Sequence, residues 1–498
     1  MTDNNKQIRT RFAPSPTGAP HVGNIRTALF AWLFARHNNG QFILRIEDTD
    51  QSRKEEGSLE AILKSLDWLG FDVNEGIVGE EPNGEWRLAG DKGPYFQSER
   101  LEIYKKYVQE LVDKQKAYYC FCSHERLAVL RELQKSKKEP PHYDGHCKSL
   151  KKNDISAKLK AKEPYVIRMD IPEEGETFFN DEIKGKVAVQ NSTIDHQVLM
   201  KSDGFPTYHL ASVVDDYLME ISHVIRADEW IPSTPKHVLL YEYFGWDQPK
   251  WIHLPIILGN DKSKLSKRHG AVSVLDYKSQ GYIPDALMNY LAFLGWNPKT
   301  NQEIISREQL IEEFDISKIN KNNPIFDITK LNWMNKQYIK TMDPDKLYEL
   351  IHELDELSDN AVVLFRNKDV FAKTLNLVKD RLERLTDFDD MVSYLWQLKD
   401  YDAKSLIAKG LDEPMSKQML DASFSVVNEI PKENWSEEVL RQTFMDYLKK
   451  NDIKTGDMLW PLRVAITGLE KSPDVFGSMD ILGREESLER IKKGIGKL

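Results

Sequence analysis

The spacing of apolar residues predicts that the chain opens with a strand, a turn and a helix. A short β-like run covers residues 8–12, and a turn-forming segment with three prolines and two glycines follows it. The apolar residues that then recur at helical spacing are Ile25, Ala28, Leu29, Trp32 and Leu33. One face of this helix should therefore be buried, and the order strand, tight turn, helix is typical of the opening of a doubly wound sheet.

The alternation of strand and helix patterns continues to about residue 116. Residues 41–46 form an apolar run with one arginine, which predicts a buried parallel strand. Glu47 follows at the carboxyl end of that strand, where open α/β sheets bind ligands. Helical spacing covers residues 58–69 and 101–116, and the acidic residues 75–93 between them are expected to form a surface insertion.

Residues 117–195 interrupt this alternation with cysteines, short β-like runs and a lysine-rich helix. Strand patterns at 197–210 and 224–230 are expected to resume the first sheet. From about residue 331 onward the pattern is almost wholly helical, with alternating charged and apolar faces in segments such as 438–450. The pattern therefore predicts an α/β first part and an all-α last part.

Composition narrows the class of protein. With 498 residues the chain is too long for one core, so three or four domains are expected. The sequence has no apolar run of about 18 residues and no apolar signal core at its start. Three cysteines make a disulfide framework unexpected, which favours a reducing cytoplasm. The formal net charge of -10 argues against a nonspecific nucleic-acid coat protein but allows a local basic RNA-binding surface.

Two stretches carry candidate chemistry. Gly18 and Gly23 allow a ligand to approach the backbone closely, and the free N–H groups at the start of the first helix favour phosphate. His21 adds a donor beside them. An ordinary proline-rich turn before a helix would look similar. The second stretch, Lys262-Ser-Lys-Leu-Ser-Lys-Arg-His269, follows an apolar run and a Gly-Asn-Asp turn.

These stretches resemble the two signature motifs of class I aminoacyl-tRNA synthetases, here His21-Val-Gly-Asn24 and Lys264-Leu-Ser-Lys-Arg268. The segments Arg11-Phe-Ala-Pro-Ser-Pro-Thr-Gly18 and Arg45-Ile-Glu-Asp-Thr-Asp50 resemble the bacterial type of the glutamyl-tRNA synthetase family. The resemblance runs over nearly the whole chain and is strongest from Arg9 to Trp296.

The resemblance implies a Rossmann-type α/β catalytic domain with a parallel sheet, an α+β insertion and an all-α C-terminal anticodon-binding region. The implied boundaries are 1–116 and 196–260 for the catalytic domain, 117–195 for the inserted acceptor-end-binding domain, 261–330 for a signature-loop and stem-contact domain, and 331–498 for the helical region.

The implied activity is ATP-dependent ligation of L-glutamate to tRNA. The glutamate carboxylate attacks the α-phosphorus of ATP, and the terminal ribose hydroxyl of tRNA then attacks the activated carbonyl. The first step needs alignment and charge stabilisation, with Mg²⁺ accompanying the phosphates. The resemblance assigns catalysis to His21, Lys264 and Lys267. It assigns ATP contacts to the same three residues and to Gly23, Asn24, Glu229 and Arg268.

Glutamate carries two carboxylates and one ammonium, so a selective pocket should offer fixed cations and an anion. By resemblance, Arg11 and Arg226 bind the side-chain carboxylate and Glu47 binds the ammonium. The hydroxyls of Tyr208 and Ser15 add contacts. The alternative for Arg226 is a structural ion pair with one of the carboxylates that follow it, Asp228 or Glu229. The family has asparagine in place of Ser212, which puts a contact there in doubt.

Cys120, Cys122 and Cys147 form a candidate zinc site by resemblance. Some family members add a histidine two residues after the third cysteine, where this chain has Ser149. Three thiolates are too few for a closed tetrahedral site. One of three histidines could complete it, namely His124, His142 or His146. The alternative is three idle thiols left from an ancestral site.

The expected partner is tRNA(Glu), with tRNA(Gln) as well if the enzyme is non-discriminating. Candidate tRNA contacts in the helical region are Lys379, Arg381 and Arg384, with Lys373 in the same segment. Competing classes are a tRNA-modifying paralogue, a small-molecule nucleotidyltransferase and an inactive RNA-binding relative. The long helical part argues against the first, and the charged motif residues argue against the other two. No membrane association is expected, and the chain is expected to act as a monomer.

Overall fold

The computed structural model describes residues 7–266, 273–354 and 357–498. The chain divides into two compact units, Met1–Asp276 with Leu287–Asp327 and Tyr277–Ala286 with Ile328–Leu498. No helix in these described ranges is both long and apolar enough to cross a membrane.

All strands among the described residues lie in the first unit. They are β1 (Arg9–Phe12), β2 (Gln41–Leu44), β3 (Glu75–Glu80), β4 (Trp86–Ala89), β5 (Ala117–Cys120), β6 (Val166–Met169), β7 (Glu176–Asp181), β8 (Gly185–Gln190), β9 (Val198–Met200), β10 (His223–Ala227) and β11 (Lys250–Leu254).

The helices alternate with these strands and then continue alone. They are α1 (Val22–His37), α2 (Ser58–Leu69), α3 (Leu101–Asp113), α4 (His124–Ser136), α5 (Lys152–Lys160), α6 (Tyr208–Leu218), α7 (Thr234–Phe244), α8 (Val274–Ser279), α9 (Pro284–Phe293), α10 (Arg307–Glu313), α11 (Ile328–Thr341), α12 (Pro344–His352), α13 (Asp359–Leu364), α14 (Lys368–Val378), α15 (Asp387–Val392), α16 (Glu413–Glu429), α17 (Glu437–Lys450), α18 (Thr455–Thr467), α19 (Val475–Leu482) and α20 (Arg484–Ile495).

The strand, turn and helix at the start of the chain are confirmed. Strand β1 pairs with β2 in parallel from Arg9↔Gln41 to Phe12↔Leu44. The apolar face predicted for α1 is buried in full, because Ile25, Ala28, Leu29, Trp32 and Leu33 are at most 2% exposed.

Three small sheets make up the first unit, with strand orders β1-β2-β3-β4, β10-β11-β7-β8 and β5-β6-β9. Strand β1 lies beside β10, because Ser222 N–H donates to the Arg9 carbonyl at 3.0 Å. Since β1 and β2 run parallel and so do β10 and β11, their carboxyl ends present side chains to a common region.

Two predictions about the strands were wrong. Residues 197–210 do not resume the main sheet, since β9 pairs with β6 in the antiparallel sheet β5-β6-β9. Instead β7, from the expected insertion, pairs in parallel with β11 at Asp181. Residues 75–93 are not only a surface insertion, because β3 extends the first sheet and its Glu75 is buried against Arg9 at 2.7 Å.

The second unit is helical, as predicted, and contains no strand among its described residues. One apolar core joins α11, α12 and α14 through residues such as Ile339, Leu347 and Leu375. A second core joins α16, α18 and α20 through residues such as Leu420 and Leu462. The amphipathic spacing read from the sequence therefore describes real buried faces.

Candidate active site

The first turn of α1 carries the His-x-Gly segment. His21 caps the helix, and its Nδ1 accepts a hydrogen bond from Gly23 N–H at 3.1 Å. A neutral ring that accepts at Nδ1 carries its proton on Nε2, so His21 retains a donor. Gly18 has φ of +103°, which favours glycine, and its N–H donates to Ser58 Oγ at 2.8 Å. The turn is thus held in shape by one hydrogen bond within it and one to the start of α2.

Arg11, at the end of β1, is fixed by a carboxylate from a distant helix. Its Nε lies 3.1 Å from Asp216 Oδ1, and Asp216 also accepts from Arg45 Nη1 at 2.8 Å. Burial alone would raise the pKa of Asp216, but the charges of Arg11 and Arg45 outweigh burial and lower it. Asp216 is therefore an anion shared by two buried guanidinium groups. Sequence reasoning missed it, because nothing local links α6 to β1.

Glu47 lies beside this network. Its Oε1 accepts from Arg45 Nη2 at 3.0 Å. Burial raises the pKa of Glu47, although the charge of Arg45 opposes that effect. A bound ammonium group would favour the ionised carboxylate further.

Arg226, at the end of β10, is buried and bound by neutral acceptors. Its Nε donates to His253 Nε2 at 3.1 Å, and its Nη2 donates to Thr234 Oγ1 at 2.8 Å. Its Nη1 donates to Tyr208 Oη at 2.9 Å and lies 3.3 Å from His237 Nδ1. Burial lowers the pKa of His253, and burial together with Arg226 lowers the pKa of His237 further. Both imidazoles are therefore neutral acceptors at neutral pH.

The structural ion pair considered for Arg226 is wrong. Asp228 Oδ2 binds Lys184 Nζ at 2.9 Å, and Glu229 Oε2 binds Lys264 Nζ. Among the described residues, no carboxylate oxygen lies within 4.0 Å of an Arg226 nitrogen. Arg226 is thus a buried cation whose charge has no direct counter-ion within this part of the chain.

The lysine-rich stretch is described only at its two ends. Lys264 binds Glu229, and Ser273 forms an antiparallel bridge with His21. Lys267 and Arg268 lie outside the described residues. The described flanks of this stretch therefore contact two of the predicted ATP-binding residues.

A cleft of about 570 Å³ joins these groups. The predicted site residues that line it are Arg11, Ser15, Asn24, Glu47, Tyr208, Arg226 and Glu229. Of the other described candidates, His21 and Gly23 lie beside Asn24 at the start of α1. Lys264 forms an ion pair with Glu229, which lines the cleft. Sequence reasoning did not assign a role to the lining side chains Gln97, Lys201, Thr207 and Trp230.

The three cysteines form a compact cluster in which all Sγ atoms lie within 4.8 Å of one another. Tyr143 Oη lies 3.3 Å from the Sγ atoms of Cys120 and Cys122. A hydrogen bond from the Cys147 thiol lowers the pKa of Cys120 to about 4. No histidine in the described ranges joins the cluster. The donor set therefore fits three corners of a tetrahedral zinc site and lacks a nitrogen ligand for the fourth.

The cations predicted to contact tRNA differ in their surroundings. Lys373 binds Asp480 at 2.7 Å, and Arg384 binds Asp387 at 3.0 Å. Arg381 is exposed and Lys379 half-buried. Neither has a carboxylate within 4.0 Å among the residues that the structure describes. The positive charges of Lys379 and Arg381 are therefore not offset by a carboxylate of this part of the chain and could contact a phosphate or a base.

Known families match both parts of the chain. The family described as "tRNA synthetases class I (E and Q), catalytic domain" matches residues 7–333, and "Anticodon binding domain" matches residues 344–495. Among curated proteins, the "Glutamate--tRNA ligase" of Clostridium tetani is 45% identical over 498 residues, covering 99% of both chains. The protein of that name from Dehalococcoides mccartyi is 46% identical over 494 residues, covering 99% of this chain and 98% of the relative.

A solved structure is similar over the same length. The glutamate tRNA ligase from Elizabethkingia meningosepticum, solved in complex with its amino acid, superposes with a TM-score of 0.86 at 33% identity. The match covers 99% of this chain and 100% of that one.

Proposed function

Since the chain belongs to the family of class I glutamate–tRNA ligases, we propose that the cleft at the ends of β1, β2 and β10 is where it activates L-glutamate with ATP. The glutamate carboxylate attacks the α-phosphorus and pyrophosphate leaves. The terminal ribose hydroxyl of tRNA(Glu) then attacks the activated carbonyl and releases AMP.

The observation that carries this proposal is the charge of Arg226. The other arginines of the described network have carboxylates in contact, as Arg11 has Asp216 and Arg45 has Glu47. Among the described residues, Arg226 forms hydrogen bonds only with neutral groups. Glutamate has a net charge of about −1 at neutral pH, since its two carboxylates are ionised and its amine is protonated. We infer that the substrate supplies the counter-ion that Arg226 lacks among the described residues.

The remaining glutamate contacts follow from the positions around Arg226. Arg11 is proposed to share the side-chain carboxylate, and the Tyr208 hydroxyl, already an acceptor from Arg226, donates to the same group. Glu47 is proposed to bind the ammonium. Ser15 lies in the turn that follows β1 and lines the cleft, and it is proposed to bind near the α-carbon of glutamate.

ATP is proposed to bind along the start of α1, where the positive end of the helix dipole favours phosphate. The N–H groups of Gly23 and Asn24, expected from the sequence to be free, already donate to His21. The proposed ATP contacts are His21, Gly23, Asn24, Glu229, Lys264, Lys267 and Arg268. His21, Lys264 and Lys267 are proposed to stabilise the charge that develops on the transferred phosphate. Mg²⁺, arriving with ATP as part of the substrate, would neutralise phosphate charge.

We assign tRNA recognition to the helical unit, with Lys379, Arg381 and Arg384 as candidate contacts. The implied partners are tRNA and L-glutamate, and no observation specifically favours the additional charging of tRNA(Gln). We also propose the domain boundaries given by the sequence. We propose further that the protein acts as a monomer in the cytoplasm. We expect the cysteine cluster to bind no zinc, because no histidine among the described residues joins it.

The test of the proposed site is Arg226→Gln. Without the guanidinium, the glutamate carboxylate would lose its main cation and keep only Arg11, which Asp216 already neutralises in part, at a cost of about 3–5 kcal/mol. The kcat/KM for glutamate in tRNA aminoacylation should therefore fall by about 150- to 5,000-fold, while KM for ATP changes little. Arg490→Gln is the matched control, since Arg490 is equally buried but belongs to the helical unit. An unchanged kcat/KM for glutamate in Arg226→Gln would reject the assignment.

A further inference from the structure

We propose that Asp181 and His253 are positioning residues for Arg226 and that this pair sets the selectivity of the cleft for glutamate over glutamine. This inference rests on the proposed role of Arg226 in binding the substrate side chain. Neither residue lines the cleft, so both act through Arg226 rather than on the substrate.

A chain of two hydrogen bonds links the three side chains. His253 Nδ1 lies 2.7 Å from Asp181 Oδ2, and His253 Nε2 lies 3.1 Å from Arg226 Nε. An arginine Nε–H can only donate. His253 Nε2 must therefore accept, and the imidazole proton must sit on Nδ1, where it is donated to Asp181. One tautomer alone satisfies both contacts.

Asp181 is fixed more firmly than an ordinary surface carboxylate. Its Oδ1 accepts from the N–H groups of Ile183 and Lys184 at 2.9 and 2.8 Å. Its Oδ2 accepts from the backbone N–H of His253 at 3.0 Å. The bond from His253 follows from the pairing of β7 with β11 at this residue, and the other two come from the turn between β7 and β8. The sheet itself therefore orients the carboxylate that selects the His253 tautomer.

Asp181 contacts His253 and not Arg226 itself, and this arrangement has a consequence for selectivity. Arg11 contacts its carboxylate, Asp216, directly, and that contact offsets much of its charge. Arg226 is held in place by an imidazole, so its orientation is fixed while its charge stays available. A glutamate carboxylate can offset that charge and a glutamine amide cannot. Buried polar groups left unpaired by the wrong substrate are a strong source of discrimination.

Variants at both positions separate positioning from general stability. His253→Leu removes the acceptor for Arg226. His253→Gln keeps an acceptor oxygen near the place of Nε2. Asp181→Asn places an amide where the tautomer-selecting carboxylate was. The matched control is His223→Gln, since His223 is also a buried imidazole on the strand of Arg226 but binds Ser222 at 2.9 Å instead.

The readouts are KM for glutamate, KM for ATP, the ratio of kcat/KM for glutamate to that for glutamine, and thermal stability. His253→Leu and Asp181→Asn should each raise KM for glutamate about tenfold, as expected for one lost hydrogen bond to a charged group. The glutamate-to-glutamine ratio should fall by a similar factor while KM for ATP stays constant. His253→Gln should bring KM for glutamate and the glutamate-to-glutamine ratio most of the way back to the wild-type values. His223→Gln should match the wild type.

Equal losses for glutamate and glutamine, or a parallel rise in KM for ATP, would overturn the proposal. If His253→Leu fails to fold, Asp181→Asn and His253→Gln decide the question by the same ratio. Arg226→Gln, measured alongside, separates two failures. If Arg226→Gln keeps its kcat/KM for glutamate, the proposed function of the site is wrong. If Arg226→Gln loses it while Asp181→Asn keeps the wild-type ratio, only the positioning role is wrong.

Discussion

Replacing Asp216 by asparagine removes the shared anion beneath the cleft without changing its shape. Asp216 is 3% exposed and contacts Arg11 and Arg45 at 3.1 and 2.8 Å. After Asp216→Asn, Arg45 keeps Glu47 as a partner, whereas Arg11 has no other carboxylate within 4.0 Å among the described residues. The variant therefore leaves a buried guanidinium without a counter-ion.

The magnitude follows from that burial. Removing one partner of a buried ion pair costs about 3–5 kcal/mol, because the other charge remains desolvated and unpaired. The Arg36–Asp72 pair gives a matched comparison, since its distance is similar at 2.9 Å but the Asp72 side chain is 69% exposed. Breaking an exposed pair costs about 0–1 kcal/mol. Asp216→Asn should therefore destabilise the protein by at least about 2 kcal/mol more than Asp72→Asn.

The assay is denaturant unfolding of both variants at pH 7 and at pH 3. Arg11 and Arg45 hold the pKa of Asp216 below its ordinary value of 3.8 despite burial. The stability from this carboxylate is therefore present above pH 3.8 and is lost as pH falls through the lower folded pKa. The gap between the variants should be full at pH 7 and smaller at acid pH. Asp216→Asn should also raise KM for glutamate, because Arg11 loses its orientation.

Equal destabilisation by Asp216→Asn and Asp72→Asn at pH 7 would refute the reasoning. It would mean that water or a neighbouring dipole replaces the carboxylate beside Arg11. A large destabilisation with an unchanged KM for glutamate would keep the network but separate it from substrate binding.

Four further predictions concern other parts of the chain. Lys267→Ala should lower kcat by about 10²–10³-fold if its charge acts in the transition state; an effect confined to glutamate KM would contradict this. Burial lowers the pKa of His223 to about 4, so its contribution to stability should fall from pH 6.5 toward pH 4 by about 1.4 kcal/mol per unit. His223→Gln should reduce that slope in urea titrations. Elemental analysis of chelator-free protein should find no zinc, and a stoichiometry near one that Cys120→Ser abolishes would show otherwise. Arg381→Ala should change the ratio of kcat/KM for glutamate and glutamine tRNAs if Arg381 reads a base; if it binds phosphate only, both values fall together and the salt slope drops by about one.

The sequence by itself determined the local elements. Helix α2 begins and ends at the predicted residues 58 and 69, and it ends where Gly70 takes the left-handed conformation at φ 68°. The buried face of α1 and the turn at Gly18 follow from spacing and residue type in the same way. Such features depend on neighbours a few residues away, which a sequence displays directly.

Only the tertiary structure decided which charges meet. Asp216 lies 205 positions from Arg11 and Asp181 lies 72 from His253, and no local pattern links either pair. Asp228 and Glu229 are close to Arg226 in sequence yet bind lysines instead. Strand pairing brings distant segments together according to packing and register. For that reason the motifs indicated which residues matter, while the fold determined that Arg226, unlike Arg11, has no carboxylate within 4.0 Å among the described residues.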